Sequence, residues 1–138
     1  MPTRSNALTS LRSLRAPDAL APALAADALA VLVFVAVGRA SHAETRPVLG
    51  VLVTAWPFLV GLLAGWALSL LRGRAVPVAV RRGIPLWAST VVVGMLLRVA
   101  TGRGMAPSFV VVAAVVLGAF LLGWRGVAAL ARRRRERR

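Results

Sequence analysis

The stretch VLGVLVTAWPFLVGLLAGWALSLL, Val48–Leu71, decides the fold: 24 residues without one charged side chain. As a helix it reaches about 36 Å, enough to cross a hydrocarbon core of about 30 Å with some tilt. A barrel strand would be shorter and would alternate apolar with polar residues. A helix also satisfies its own backbone groups in lipid, and this constraint outweighs the modest helix propensity of valine.

Three more apolar stretches flank it, over residues 19–38, 84–100 and about 108–130. The first is Ala-rich in its first half, with Pro22 and Asp27 inside, and strongly apolar in its second. A polar segment, residues 38–47, an Arg-bearing linker around Pro77 and a turn with Gly102 and Gly104 separate the four. Residues 1–18 read as a basic tail with a short interfacial helix, and residues 132–138 as an arginine-rich tail. The expected fold class is all-α: one polytopic membrane domain of four transmembrane helices over residues 19–131, N-in/C-in.

Composition narrows the chemistry. The 138 residues are 59% hydrophobic and carry a net charge of +14, from 18 basic residues against 4 acidic ones. Every basic residue is Arg, a usage that a GC-rich genome explains; Lys, Cys and Tyr are absent. Disulfides, thiolate metal sites, P-loop lysines and Schiff-base chemistry are therefore excluded. One His and four acids leave little for a metal site, so neither a metal nor a cofactor is expected. No glycine-rich nucleotide fingerprint or nucleophile elbow is present, and no enzyme is expected.

Arginine sets the orientation. With four crossings, three Arg before residue 18, four in the linker and seven from Arg125 onward share one side. Only Arg39, Arg46, Arg98 and Arg103 lie on the other. The positive-inside rule puts both termini in the cytoplasm. Trp87 and Trp124 fall near the cytoplasmic interface, as an aromatic belt would, whereas Trp56 and Trp66 read as packing residues. A rival processing reading, with signal-peptidase cleavage near Ser41-His42-Ala43, is weakened by Arg39 and Asp27.

Asp27 is the sharpest single feature. An acid at a helix centre costs about 2.5–3.5 kcal/mol on insertion scales, so it faces an interior partner or a cavity, or else marks the membrane boundary. At 100° per residue, Asp27, Gly38 and His42 fall within about 60° of one another on a continuous helix. Asp27, Arg39, Ser41, His42, Glu44 and Arg98 form the candidate polar relay. The bland alternative for residues 38–44 is a wet loop with a solvated His and a weak Arg–Glu pair. Arg98 either snorkels to the interface or turns inward to pair with Glu44 or bind an anion. Gly38, Thr54, Pro57, Gly61, Gly65, Gly94, Gly118 and Gly123 are the candidate helix-packing positions, since small residues let helices approach closely in lipid. Arg132, Arg133, Arg134 and Arg135 are candidate contacts for anionic lipid headgroups. Without aromatic or base-reading neighbours they give no sign of nucleic-acid binding.

The string from Phe34 to Glu44 (FVAVGRASHAE) resembles a signature of domain-of-unknown-function family 3054, small prokaryotic membrane proteins. Thr54–Gly61 (TAWPFLVG), Gly94–Arg98 (GMLLR), Leu122–Arg125 (LGWR) and the upstream Asp27 fit it as well. The resemblance implies a four-helix integral membrane protein and brings no activity with it.

Two functions compete on these residues: a small transporter or permease-like protein, and a non-catalytic scaffold or accessory subunit packing through small-residue helix faces. Either would sit in a prokaryotic plasma membrane, against a bilayer that includes anionic lipids, as a homo-oligomer or with a membrane partner protein. Export-dependent reporters fused to either terminus should stay inactive, and the same reporters inserted between helices one and two should be active. An active reporter at either terminus would reverse the topology.

Overall fold

The computed structural model describes residues 4–40, 47–73 and 79–138, with side chains over 19–40, 48–73 and 79–138. It has four helices: α1 Arg4–Ala40, α2 Pro47–Leu71, α3 Val80–Ala100 and α4 Pro107–Glu136. The described residues contain no strand. Each helix holds a segment long and apolar enough to cross a membrane: Ala19–Ala40, Val48–Leu71, Val80–Ala100 and Pro107–Glu136.

The helices outrun the apolar runs that announce them. The backbone of α1 is helical back to Arg4, where the sequence suggests a tail. Exposed Arg81 and Arg82 belong to α3, and α4 continues through Arg132–Arg135. Ala, Leu and Arg are good helix formers, so nothing ends these helices where hydropathy falls. They start and stop on local chemistry instead. Ala79 and Ala106 are extended before α3 and α4, and Pro107 opens α4, a position where its missing N–H costs nothing. The Thr101 hydroxyl donates to the Leu97 carbonyl at 2.8 Å, and Gly102 and Gly104 turn the chain with φ of 73° and 70°.

The helices form a ring in chain order, with α2 against α3 the closest pair and α1 against α4 the loosest. Val31, Phe34, Phe58, Leu62, Leu117 and Leu121 are buried at its centre. Leu29, Leu63, Leu96 and Val115 are more than half exposed on its outside, an apolar surface that suits lipid and would be a liability in water.

Glycine sets the α2–α3 distance. A Cβ on Gly61 would lie 2.8 Å from the Ser89 carbonyl oxygen and 2.9 Å from that of Thr90. Ser89 Oγ uses this closeness to donate to the Gly61 carbonyl at 2.9 Å. Gly65 sits against Leu86 and Ser89, Gly94 receives the Phe58 ring, and Gly118 faces the Trp87 indole. Trp87 Nε1 donates to the Ala114 carbonyl at 2.9 Å, so this indole ties α3 to α4 in addition to any place in an interfacial belt. Pro57 is fully buried within α2.

Gly38 and Gly123 depart from the packing role their spacing suggests. A Cβ at either would meet nothing within 4 Å. Gly38 lines a cavity and Gly123 is exposed, because helix rotation turns both away from a close neighbour. Gly61→Leu should therefore cost about 1–3 kcal/mol through overpacking, while Gly123→Leu stays near neutral. Thermal unfolding in detergent checks this, and equal melting of the two variants would refute the distinction.

Candidate functional site

Polar groups gather at two levels of the ring. The first level surrounds Asp27, eight residues after Ala19, where the first apolar segment begins. The Asp27 side chain is fully buried, as is that of Arg125 on α4. The two meet as a fork: Arg125 Nη1 donates to Asp27 Oδ1 at 2.6 Å, and Nη2 to Oδ2 at 2.7 Å. Trp66 Nε1 on α2 donates to Oδ2 at 2.9 Å, and Trp124 Nε1 on α4 to Oδ1 at 2.8 Å. The carboxylate thus accepts four hydrogen bonds, about the full capacity of its lone pairs. Arg125 Nη1 also donates to the Leu121 carbonyl at 2.6 Å, and its Cζ lies 4.5 Å from the Trp124 ring centroid.

Helix α3 contributes an absence of side chain. A Cβ on Gly83 would sit 2.8 Å from Arg125 Cδ and 3.0 Å from Nε. Gly83 thus opens the slot along which the arginine enters. All four helices converge on one ion pair: α1 gives the acid, α4 the base and an indole, α2 an indole, and α3 the space.

The second level lies at the opposite end of the ring. Arg39 stands twelve residues beyond Asp27 on α1, about 18 Å along the axis. It lines a cavity of about 420 Å³ with Gly38, Thr54, Arg98 and Ser108, above a wall of Phe34, Val35, Phe109 and Val112. Arg39 Nη1 donates to Thr54 Oγ1 at 3.2 Å, and the guanidinium occupies the space that a Cβ on Gly50 would fill. Arg98 turns inward and places its Cζ 4.4 Å from the Phe109 ring centroid. Beneath lie the rings of Phe34, Phe58 and Phe109, with centroids 5.8–6.4 Å apart.

The candidate relay is therefore divided. Asp27 is in one level and Arg39 and Arg98 are in the other, so Asp27 does not partner Arg98. Ser41, His42 and Glu44 lie outside the described residues. Thr54 serves Arg39 rather than a helix contact alone. Trp66 and Trp124, read as a packing and a belt residue, are both ligands of the Asp27 carboxylate. Arg125, counted among the cytoplasmic arginines, is buried; its removal from that count leaves the asymmetry large. Arg132, Arg133, Arg134 and Arg135 are exposed on the last turns of α4. Sequence reading also passed over Gly50, Gly83, Ser108 and Phe109. Arg125 did leave a signal, since six uncharged residues, Gly126–Ala131, follow it and extend the apolar run past the charge.

Removing either partner of a buried ion pair leaves an uncompensated charge, so Asp27→Ala and Arg125→Ala should each cost about 3–5 kcal/mol. Asp27→Ala combined with Arg125→Ala should lose clearly less than the sum of the two single changes, because no orphan charge remains. Unfolding titrations on the cycle test this, and additive losses would show that the two side chains are not coupled.

Comparison with known proteins agrees with this extent of structure. The family model described as "Protein of unknown function (DUF3054)" matches residues 24–128, which take in Asp27, Arg125 and both cavity arginines. No curated protein and no solved structure matches the chain. The matched segment covers most of the sequence and takes in all of the second and third apolar helices and most of the first and fourth, and the chain belongs to the DUF3054 family.

Proposed function

We propose that this chain is a small transporter or permease-like protein for an anionic solute, set in a prokaryotic plasma membrane with both termini cytoplasmic and no catalytic chemistry of its own. The cavity of about 420 Å³ beside Arg39 and Arg98 carries the reading. It lies at the end of the ring away from the termini and is lined by Arg39 and Arg98. A pocket of this size suits a small organic ligand.

The rest of the ring supports the reading as a barrier. The Phe34–Phe58–Phe109 cluster closes the path below the cavity. Farther on, Asp27 and Arg125 join α1 to α4 across the loosest seam. Opening that seam separates two charges, and water entering behind them would offset part of the cost by solvating each. The ion pair then acts as the inner gate, and the present form is the closed one. A second copy of the chain against the apolar outer faces, and anionic lipid at the arginine-rich end of α4, complete the working assembly.

The scaffold reading has less to stand on. Gly61, Gly65, Gly83, Gly94 and Gly118 are used inside the chain, against its own helices, and do not form an outward face for another protein. Proteoliposomes should show counterflow of at least one member of a panel of small carboxylates and phosphate monoesters, and Asp27→Asn should lower it about tenfold or more. Fluxes equal to those of empty vesicles across the whole panel would remove the transport reading.

A further inference from the structure

A groove of about 420 Å³ runs along the outside of the ring, in the seam between α1 and α4. Ala26, Leu29, Ala30 and Val33 line it from α1, and Ala119, Phe120 and Trp124 from α4. The alanines leave the space, and Leu29, Val33 and Phe120 stand exposed beside it. Trp124 Nε1 is the single polar side-chain atom of this lining, and it is committed to Asp27 Oδ1 at 2.8 Å. An occupant finds no hydrogen bond here, so the groove suits hydrocarbon. Its depth agrees. Ala26 is seven residues, roughly 10 Å, inside Ala19, and Val33 is fourteen residues, roughly 21 Å, inside it. In a hydrocarbon core about 30 Å thick these are the depths of a lipid tail. Ordinary lipid-facing surface would share that chemistry, but α4 adds a charge above the groove. At about 100° per residue, Phe120, Trp124, Val127 and Ala131 fall within a sector about 60° wide. Arg134 and Arg135, both exposed, flank that sector, each about 20° beyond one edge. One face of α4 therefore carries an apolar groove at tail depth and, roughly 15 Å farther along the helix, a pair of cations.

We propose that this groove holds one anionic phospholipid from the leaflet at the arginine-bearing end, with a tail against Leu29, Val33 and Phe120 and the phosphate between Arg134 and Arg135. Packing within the groove retains the tail, since water repulsion cannot do so inside a bilayer, and the two guanidinium groups select the charge of the head. The α1–α4 seam is the loosest in the ring, so the tail fills from outside the joint that Asp27 and Arg125 close from inside. Trp124 stands between the two, its ring on the groove and its nitrogen on the carboxylate. A second copy of the chain fits this face less well: related by an axis along the membrane normal, it would set its own arginines against Arg134 and Arg135. The proposal rests on the membrane part of the functional reading and not on solute movement.

The test takes the full chain in mild detergent at low salt, adds phosphatidylglycerol and phosphatidylcholine in equal amounts, and counts retained lipids by native mass spectrometry. One phosphatidylglycerol per chain is expected, retained about tenfold over phosphatidylcholine. Ala119→Phe and, from the facing helix, Ala30→Phe fill the groove and leave every arginine in place. Each should lower that retention about fivefold without lowering the unfolding temperature in lipid-free detergent. Arg134→Gln with Arg135→Gln should abolish the preference for phosphatidylglycerol. Arg81→Gln with Arg82→Gln removes the same charge from the exposed start of α3 and should leave the preference intact. Equal retention of the two lipids, or retention indifferent to both groove-filling changes, overturns the proposal. So does an equal loss from the α3 and α4 arginine pairs, which would reveal only a diffuse basic surface. A lipid-free dimer that the groove-filling changes break would assign the face to a second copy and overturn the proposal as well. Counterflow enters none of these readouts, so the lipid site and the transport reading stand or fall separately.

Discussion

A carboxylate taken into hydrocarbon must find its partners within the protein, and Asp27 shapes this bundle for that reason. Lipid offers no hydrogen bonds, so the acid is tolerable only if every lone pair is met and its charge is balanced. Arg125 provides the charge and two bonds, and Trp66 and Trp124 provide the other two. Each requirement fixes a helix. Moving α4 by one residue would rotate Arg125 away by about 100°, and moving α2 would withdraw Trp66. The looseness of the α1–α4 seam follows from the same arrangement, because directional bonds hold it where close backbone contact does not.

Glycine and arginine divide the remaining work. Gly61 and Gly65 bring α2 and α3 into contact close enough for Ser89 to reach a main-chain carbonyl. Gly83, Gly94 and Gly118 are recesses, each receiving one large side chain: Arg125, Phe58 and Trp87. Arginine appears in three environments with three physical consequences. Arg125 is buried and fully paired, Arg39 and Arg98 face a cavity, and Arg132–Arg135 are in the open beyond the apolar span. A buried ion pair, a cavity lining and an exposed basic helix end can be built from one residue type because surroundings, rather than identity, decide what a guanidinium does.

The four helices were readable from length and apolarity. The charge-free Val48–Leu71 is a helix long and apolar enough to cross a membrane, and the three other segments follow the same arithmetic. The importance of Asp27 was readable too, since an acid in an apolar run is rare and expensive. Its partner was not identified. Arg98 and Arg125 both lie within apolar runs, and alternation of the helices already excludes Arg98: it stands at the far end of α3, whereas Arg125 stands at the level of Asp27. Counting Arg125 as an orientation signal concealed this. The indoles were misjudged for a related reason, since an aromatic near an interface and an aromatic hydrogen-bonded to a buried acid have the same sequence signature.

The sequence by itself determined four helices long and apolar enough to cross a membrane, because hydrocarbon thickness and backbone hydrogen bonding favour helices for runs of that length. It also determined that one acid would need a partner. Only the tertiary structure decided which cation that is, which glycines are contacts and which are surface, and that Arg39 and Arg98 share a cavity. Those outcomes depend on the rotation of each helix about its own axis, which the close approaches of neighbouring side chains select and which no pattern within a single helix specifies.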